Sequence, residues 1–163
     1  FCMVATTRGI SFDLASVRPG LLPVQTLGDI LDPVPDDSPA YREVAHLKAK
    51  QERDQANGKG FSVPYLTPAA THVPVLRAGY AKAGSCDARL LHPTNPNLSR
   101  LLTVPEHARA KQIPLELVRD LTQTAGHQLL GQSILFLFFK ALGAALARSL
   151  AELAGRVPCA IAA

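Results

Sequence analysis

The sequence predicts a chain of mixed α and β structure: one buried strand at the start, a small β-rich and basic middle, and helices at the C-terminal end. Three observations predict it. Residues 1–7, Phe-Cys-Met-Val-Ala-Thr-Thr, read as a buried strand. Short β-prone runs punctuated by glycine recur between residues 61 and 91. Residues 133–154 hold no proline and are dominated by alanine and leucine, both good helix formers.

The first strand turns out through Arg8-Gly9. A strand cannot stand alone, and a native chain rarely opens inside one, so the expectation is the C-terminal part of something larger. Residues 10–22 carry Arg18-Pro19-Gly20 and read as a loop. In residues 24–31, Thr26 precedes Leu27, Ile30 and Leu31, with Asp29 three positions on; that spacing predicts one capped helical turn. Residues 32–39, Asp-Pro-Val-Pro-Asp-Asp-Ser-Pro, form a proline- and acid-rich linker and the clearest boundary in the chain.

Residues 40–57 are polar and helical in composition, anchored by Tyr41, Val44, Ala45 and Leu47, and Asn57-Gly58-Lys59-Gly60 ends the helix. Residues 61–66, 73–80 and 88–91 are predicted as short strands, and residues 92–99, with Pro93, Asn95, Pro96 and Asn97, as a loop. Thr103-Val104-Pro105-Glu106 has the spacing of a capping box and opens a helix over residues 105–112, which stops before Pro114. A second helix is expected over residues 115–123.

The apolar helix follows. Ile134, Leu135, Phe138, Leu142, Leu146, Leu150 and Leu153 fall on one stripe, which Leu137, Phe139, Ala141 and Ala145 widen almost all the way round. Such a helix must be buried, in a membrane or against protein. Residues 129–147 have the length of a membrane span. Gln132, Ser133 and Lys140 lie inside that stretch, however, and a central lysine alone costs about 2.5–3.5 kcal/mol. No basic cluster flanks one end. A core helix, with no membrane, is the reading.

One hundred and sixty-three residues suffice for one domain with a real core. A formal charge of +4 and a pI near 9.2 lean mildly towards an anionic partner. Cys2, Cys86 and Cys159 have no CxxC spacing and read as reduced thiols of an intracellular protein. Five scattered histidines give no zinc pattern, no signal peptide is present, and no GxSxG, P-loop or GxGxxG occurs. The residues alone stop at an accessory portion with a small, basic, β-rich insert.

Arg100-Leu101-Leu102-Thr103-Val104-Pro105-Glu106-His107-Ala108-Arg109 resembles the ninth motif of DNA (cytosine-5) methyltransferases, RxLTxxExxR. Gly131-Gln132-Ser133-Ile134 looks like their tenth motif, GNxV, and residues 1–7 resemble the strand closing the eighth. Residues 46–50 and 58–61 look like the start of the target-recognition region in Dcm-type enzymes, and residues 75–84 like its later part, TLxARYYKDG. The sequence departs from the pattern at Val75 for threonine, Gly79 for arginine, Gln132 for asparagine and Ile113 for phenylalanine.

The resemblance implies an α/β fold of the S-adenosylmethionine-dependent methyltransferase type. Residues 1–31 would be the last part of the catalytic sheet, 32–99 the target-recognition domain, 100–156 helices returning to the catalytic domain, and 157–163 a tail. It implies methyl transfer from S-adenosylmethionine to a flipped cytosine in duplex DNA. The attacking cysteine of a Pro-Cys loop, its assisting glutamate and the cofactor's glycine-rich loop would lie in a missing N-terminal half, a partner in the same protein or a separate subunit. No catalytic residue and no metal ligand is expected here, and the setting would be cytoplasmic, of bacterial or phage type. Lys48, Lys50, Arg53, Lys59, Val75, Leu76, Arg77, Tyr80, Lys82 and Arg89 become candidate DNA contacts. Arg100, Thr103, Glu106 and Arg109 become candidates for a domain hinge, and Gln132, Ser133 and Ile134 for one wall of the cofactor pocket. The alternative is a non-catalytic module that docks on another protein through its apolar helix.

Overall fold

The computed structural model describes residues 3–6, 10–21 and 23–156. The chain divides into two compact units, residues 23–134 and residues 1–22 with 135–163.

The larger unit is built on a four-stranded sheet. Its strands are β1 (Arg42–Glu43), β2 (Tyr65–Leu66), β3 (Arg89–Leu91) and β4 (Leu98–Arg100), in the order β1-β4-β3-β2. β4 runs antiparallel to both neighbours, pairing Ser99 with Arg42 and with Leu91, while β2 lies parallel to β3 with Tyr65 beside Arg89. Helix α1 (Ala45–Ala56) fills the crossover from β1 to β2 and is polar on most faces. It holds on through a small cluster of Val44, Leu47 and Val63, with Phe61 and Tyr65 against it. Gly58 follows with φ +68°, the left-handed turn that glycine makes without strain.

The main core gathers Leu27, Ile30, Leu66, Leu76, Tyr80, Ala88, Leu90 and Leu102. Tyr80, fully buried, pins its centre: the hydroxyl donates to Ala88 O (2.7 Å) and accepts from Leu102 N (2.9 Å). Two helices, α2 (Val104–Ala110) and α3 (Gln123–Gln132), join through Ala108, Val118 and Leu130. At Gly131 of α3 the helix comes so close to residues 77 and 78 that a Cβ would lie 2.2 Å from Ala78 N.

Several elements differ from the sequence expectation. Residues 73–80 form no strand: Pro74 lacks the N–H a ladder needs, and the segment ends in a one-turn 3-10 helix, Tyr80–Lys82. Residues 98 and 99, expected in a loop, pair with β1 and β3. That loop is closed by His92, whose Nδ1 accepts from Thr94 N and Asn95 N while Nε2 meets Asp36 O at 2.9 Å. Residues 115–123 yield only the short turn Leu115–Leu117, since Thr122 caps a new helix by accepting from Ala125 N. The apolar stretch from residue 126 is therefore two helices. Ser133 ends α3, its N–H and Oγ both donating to Leu130 O, a local bond that competes with continuing the helix.

In the smaller unit, α4 (Phe136–Arg156) carries the apolar stripe. Val17, Leu142 and Ala145 form its core, with Val4, Phe12, Leu14, Phe138, Ala141 and Leu146 packed around them. Leu135, Phe139 and Leu150 stay exposed. Of the strand expected over residues 1–7, positions 1, 2 and 7 lie outside the described residues, and 3–6 pair with no other strand. The tail, 157–163, also lies outside them. Among the described residues no single helix is long and apolar enough to cross a membrane; α3 and α4 together have the length and composition of a broken span. α3, however, commits Gly126, His127 and Leu130 to the interior of its own unit.

Both unit boundaries, after residues 22 and 134, fall outside the expected 32–99 recognition segment. Leu27 and Ile30 on one side of the linker and Leu102 on the other belong to the same core cluster as Leu66 and Leu90 of the sheet.

Candidate functional site

The four residues expected at a hinge meet in one buried network, and Asp32 joins them. Arg100 and Glu106, both almost fully buried, form a bidentate pair: Nη1 to Oε2 and Nη2 to Oε1, each 2.7 Å. Two parallel charge-assisted bonds of this kind are the strong end of the hydrogen-bond range. Glu106 also closes the capping box, taking Thr103 N at 2.7 Å while Thr103 Oγ1 accepts from Glu106 N at 3.2 Å. Asp32 N donates to Glu106 Oε1 (2.8 Å), and the Asp32 carboxylate accepts from Thr103 Oγ1 (2.5 Å) and Arg109 Nη1 (2.6 Å). Arg109 Nη1 donates to Ile30 O as well (2.9 Å). Burial raises the Asp32 pKa, but the Thr103 hydroxyl and Arg109 outweigh it and hold the carboxyl below its usual range. The network ties residues 30–32 to the start of α2.

Beside it lies a histidine pair that the sequence did not suggest. His107 and His127, both fully buried, stack with ring centroids 5.3 Å apart and share one hydrogen bond, Nδ1 to Nδ1 at 3.0 Å. Tyr80 meets both rings edge-on. One ring donates and the other accepts, and burial of both favours the neutral form. Burial, with the neighbouring His127 and Lys111, pushes the His107 pKa down to about 3; burial also lowers that of His127. A histidine depressed in the folded state contributes stability that is present above the unfolded value near 6.5 and is lost as pH falls towards the folded one. The thermal midpoint is thus expected to fall as pH drops from about 6.5 to 4, before Asp32 adds its own loss below. Circular-dichroism melts across that range, with His107→Gln flattening the slope, check it.

The expected DNA contacts separate into two groups. Lys59, Val75 and Lys82 are exposed, and Arg53 is exposed beside Asp54 (3.7 Å). Lys48 Nζ donates to Pro96 O (3.2 Å) and Asn97 Oδ1 in the β3–β4 turn, and Lys50 Nζ donates to Ser85 Oγ (3.2 Å) and sits 4.1 Å from the Phe61 ring. Arg77 is 57% exposed but its guanidinium clasps buried Asp87, which also takes Gly84 N at 2.7 Å. Arg89 is 4% exposed, lines a cleft and donates through Nε to Ser99 Oγ (3.0 Å), whereas Leu76 and Tyr80 are buried in the core. The Leu76 and Tyr80 side chains serve the fold and present no surface to a duplex.

Of the three residues expected at the cofactor pocket, Gln132 and Ile134 are exposed. Ser133 is spent: its Oγ donates to Leu130 O and its carbonyl accepts from Lys111 Nζ at 3.1 Å. No cluster of metal-ligating side chains occurs among the described residues. Cys86 is a free, exposed thiol; Cys2 and Cys159 lie outside the described residues.

Asp32, Asp87, His107 and His127 are the site residues that sequence reasoning missed. Only Asp32 carried a signal, as the acid opening the linker.

The structure resembles the Dnmt2 methyltransferase of S. pombe with a TM-score of 0.63 and 18% identity, over 85% of this chain and 47% of that one. It also resembles the methyltransferase EhMeth of Entamoeba histolytica with a TM-score of 0.54 and 17% identity, over 77% of this chain and 41% of that one. The chain therefore spans less than half the length of these neighbours. No family model and no curated protein matches the sequence. The likeness shows the fold alone, an α/β fold like that of these two methyltransferases.

Proposed function

We propose that this chain is the recognition-bearing part of a DNA (cytosine-5) methyltransferase of the Dcm-like type. The whole enzyme transfers a methyl group from S-adenosylmethionine to cytosine in duplex DNA, and a catalytic half outside this chain supplies the attacking cysteine. One observation carries the reading: over 85% of its length the chain shares its fold with a methyltransferase, and the residues that resemble the ninth motif form one interlocked network within that fold. Exposed Lys59 and Lys82 supply positive charge for phosphates, a large source of affinity in duplex binding.

The chain alone is then expected to bind duplex DNA weakly, with an affinity that falls as salt rises. Fluorescence anisotropy over a salt series measures this. Lys59→Glu and Lys82→Glu should each lower the salt slope by about one. Neither side chain has a partner among the described residues, so folding should not change.

A second reading rests on the exposed Leu135, Phe139 and Leu150 near and on α4, an apolar surface for docking on another protein. Absence of duplex binding at low salt, with both lysine variants behaving as the parent, favours that module over the enzyme.

A further inference from the structure

A cleft of about 240 Å³ opens in the larger unit, and three arginines line it: Arg42, Arg89 and Arg100. Their circumstances differ. Arg100 is neutralised by Glu106, yet its buried Nε has no hydrogen-bond partner. Arg89 is only 4% exposed and has no ion pair among the described residues; its single hydrogen bond goes from Nε to the neutral Ser99 hydroxyl. Burial works most strongly against its charge and Arg42 adds like-charge repulsion, while Tyr80, Tyr65 and the Asp87 carboxylate offset part of this. Arg42, exposed on β1, likewise lacks a carboxylate partner among the described residues.

A buried guanidinium is costly unless a counter-charge satisfies it. Arg89 keeps both amino groups, with four N–H donors, unspent beside a second unpaired arginine. The lining also includes Gln123, the first residue of α3, a ten-residue helix whose N-terminal end carries partial positive charge. Thr103 also lines the cleft, but its hydroxyl is committed to Asp32 and Glu106 N. No aspartate or glutamate lines the cleft.

We propose that this cleft is an anion site for a phosphate group, held by the forked donors of Arg89 and Arg42 against the first turn of α3. Arginine's planar fork matches phosphate oxygens two at a time. The site stands apart from the methyltransferase reading, because it needs only a phosphate; the source is either the backbone of a nucleic acid or a free phosphate compound.

Calorimetric titration of the full chain with inorganic phosphate, at ionic strength matched with chloride, tests it. Saturable binding is expected, and Arg42→Gln should weaken it roughly tenfold. The thermal midpoint should stay unchanged, because Arg42 is exposed and unpartnered. No binding beyond the chloride control, or equal binding by Arg42→Gln, overturns the proposal. A duplex displaced by phosphate from the parent but not from Arg42→Gln assigns the site to a nucleic-acid backbone. A duplex indifferent to phosphate assigns it to a free compound. A chain that takes phosphate and binds no duplex keeps the site and refutes the DNA reading.

Discussion

Replacing Glu106 by glutamine is expected to destabilise residues 23–134 by about 3–5 kcal/mol, the usual effect of removing one partner from a buried ion pair. The change strips Arg100 of its counter-charge where neither residue reaches solvent. It also weakens the bonds from Thr103 N and Asp32 N, which hold the start of α2 and the end of the linker. Against a total stability of roughly 5–15 kcal/mol, that loss moves the unfolding midpoint by many degrees. Thermal melts followed by circular dichroism read it directly, with the exposed Glu116→Gln as control. Because the pair is buried, added salt should rescue little. Exchanging both partners for apolar residues, Arg100→Met with Glu106→Leu, should recover much of the loss, since the penalty lies in the unpaired charge.

Gly131→Ala should be the next most damaging single change. Its Cβ would lie 2.2 Å from Ala78 N, 2.4 Å from Ala78 Cα and 2.4 Å from Arg77 C. These are backbone atoms, which cannot swing aside as a side chain can. Overpacking costs typically about 1–3 kcal/mol, and a contact this short belongs at the upper end or beyond. Gly143→Ala offers the counter-case. Gly143 sits inside α4 with nothing within 4 Å of an added Cβ, so alanine should stabilise its helix by about 1 kcal/mol. Two glycines in two helices thus move the denaturant midpoint in opposite directions. Equal shifts would refute the close approach of α3 to residues 77 and 78.

Much of the local structure was legible because its causes are local. Thr103 and Glu106 announce the capping box of α2, and both of its arms are present. Asp29, three residues after Thr26, accepts from Thr26 N as the spacing suggests. The alternating charges of α1 and the aliphatic stripe of α4 also lead to the observed helices. What stayed hidden depends on distant partners. β4 reads as a proline- and asparagine-rich loop until β1 and β3 flank it. The break after α3 falls at Ser133, where neither proline nor glycine marks a stop. Asp32 reads as linker, and its bond to Thr103, 71 residues on, has no local trace. His107 and His127 lie 20 residues apart without a metal-ligand spacing, and only the packing of α2 on α3 brings them together. Tyr80 shows the converse: the resemblance suggests DNA contact, and its full burial assigns it to the core.

Methylation restored by complementation tests the proposed function most directly. The chain is co-expressed with the N-terminal half of a Dcm-like methyltransferase that has an intact Pro-Cys loop, and cytosine methylation is read by bisulfite sequencing. Methylated cytosines at a defined site, present only when both parts are made and reduced by Lys59→Glu with Lys82→Glu, are the expected result. A soluble, associated pair that leaves every cytosine unmethylated would contradict it.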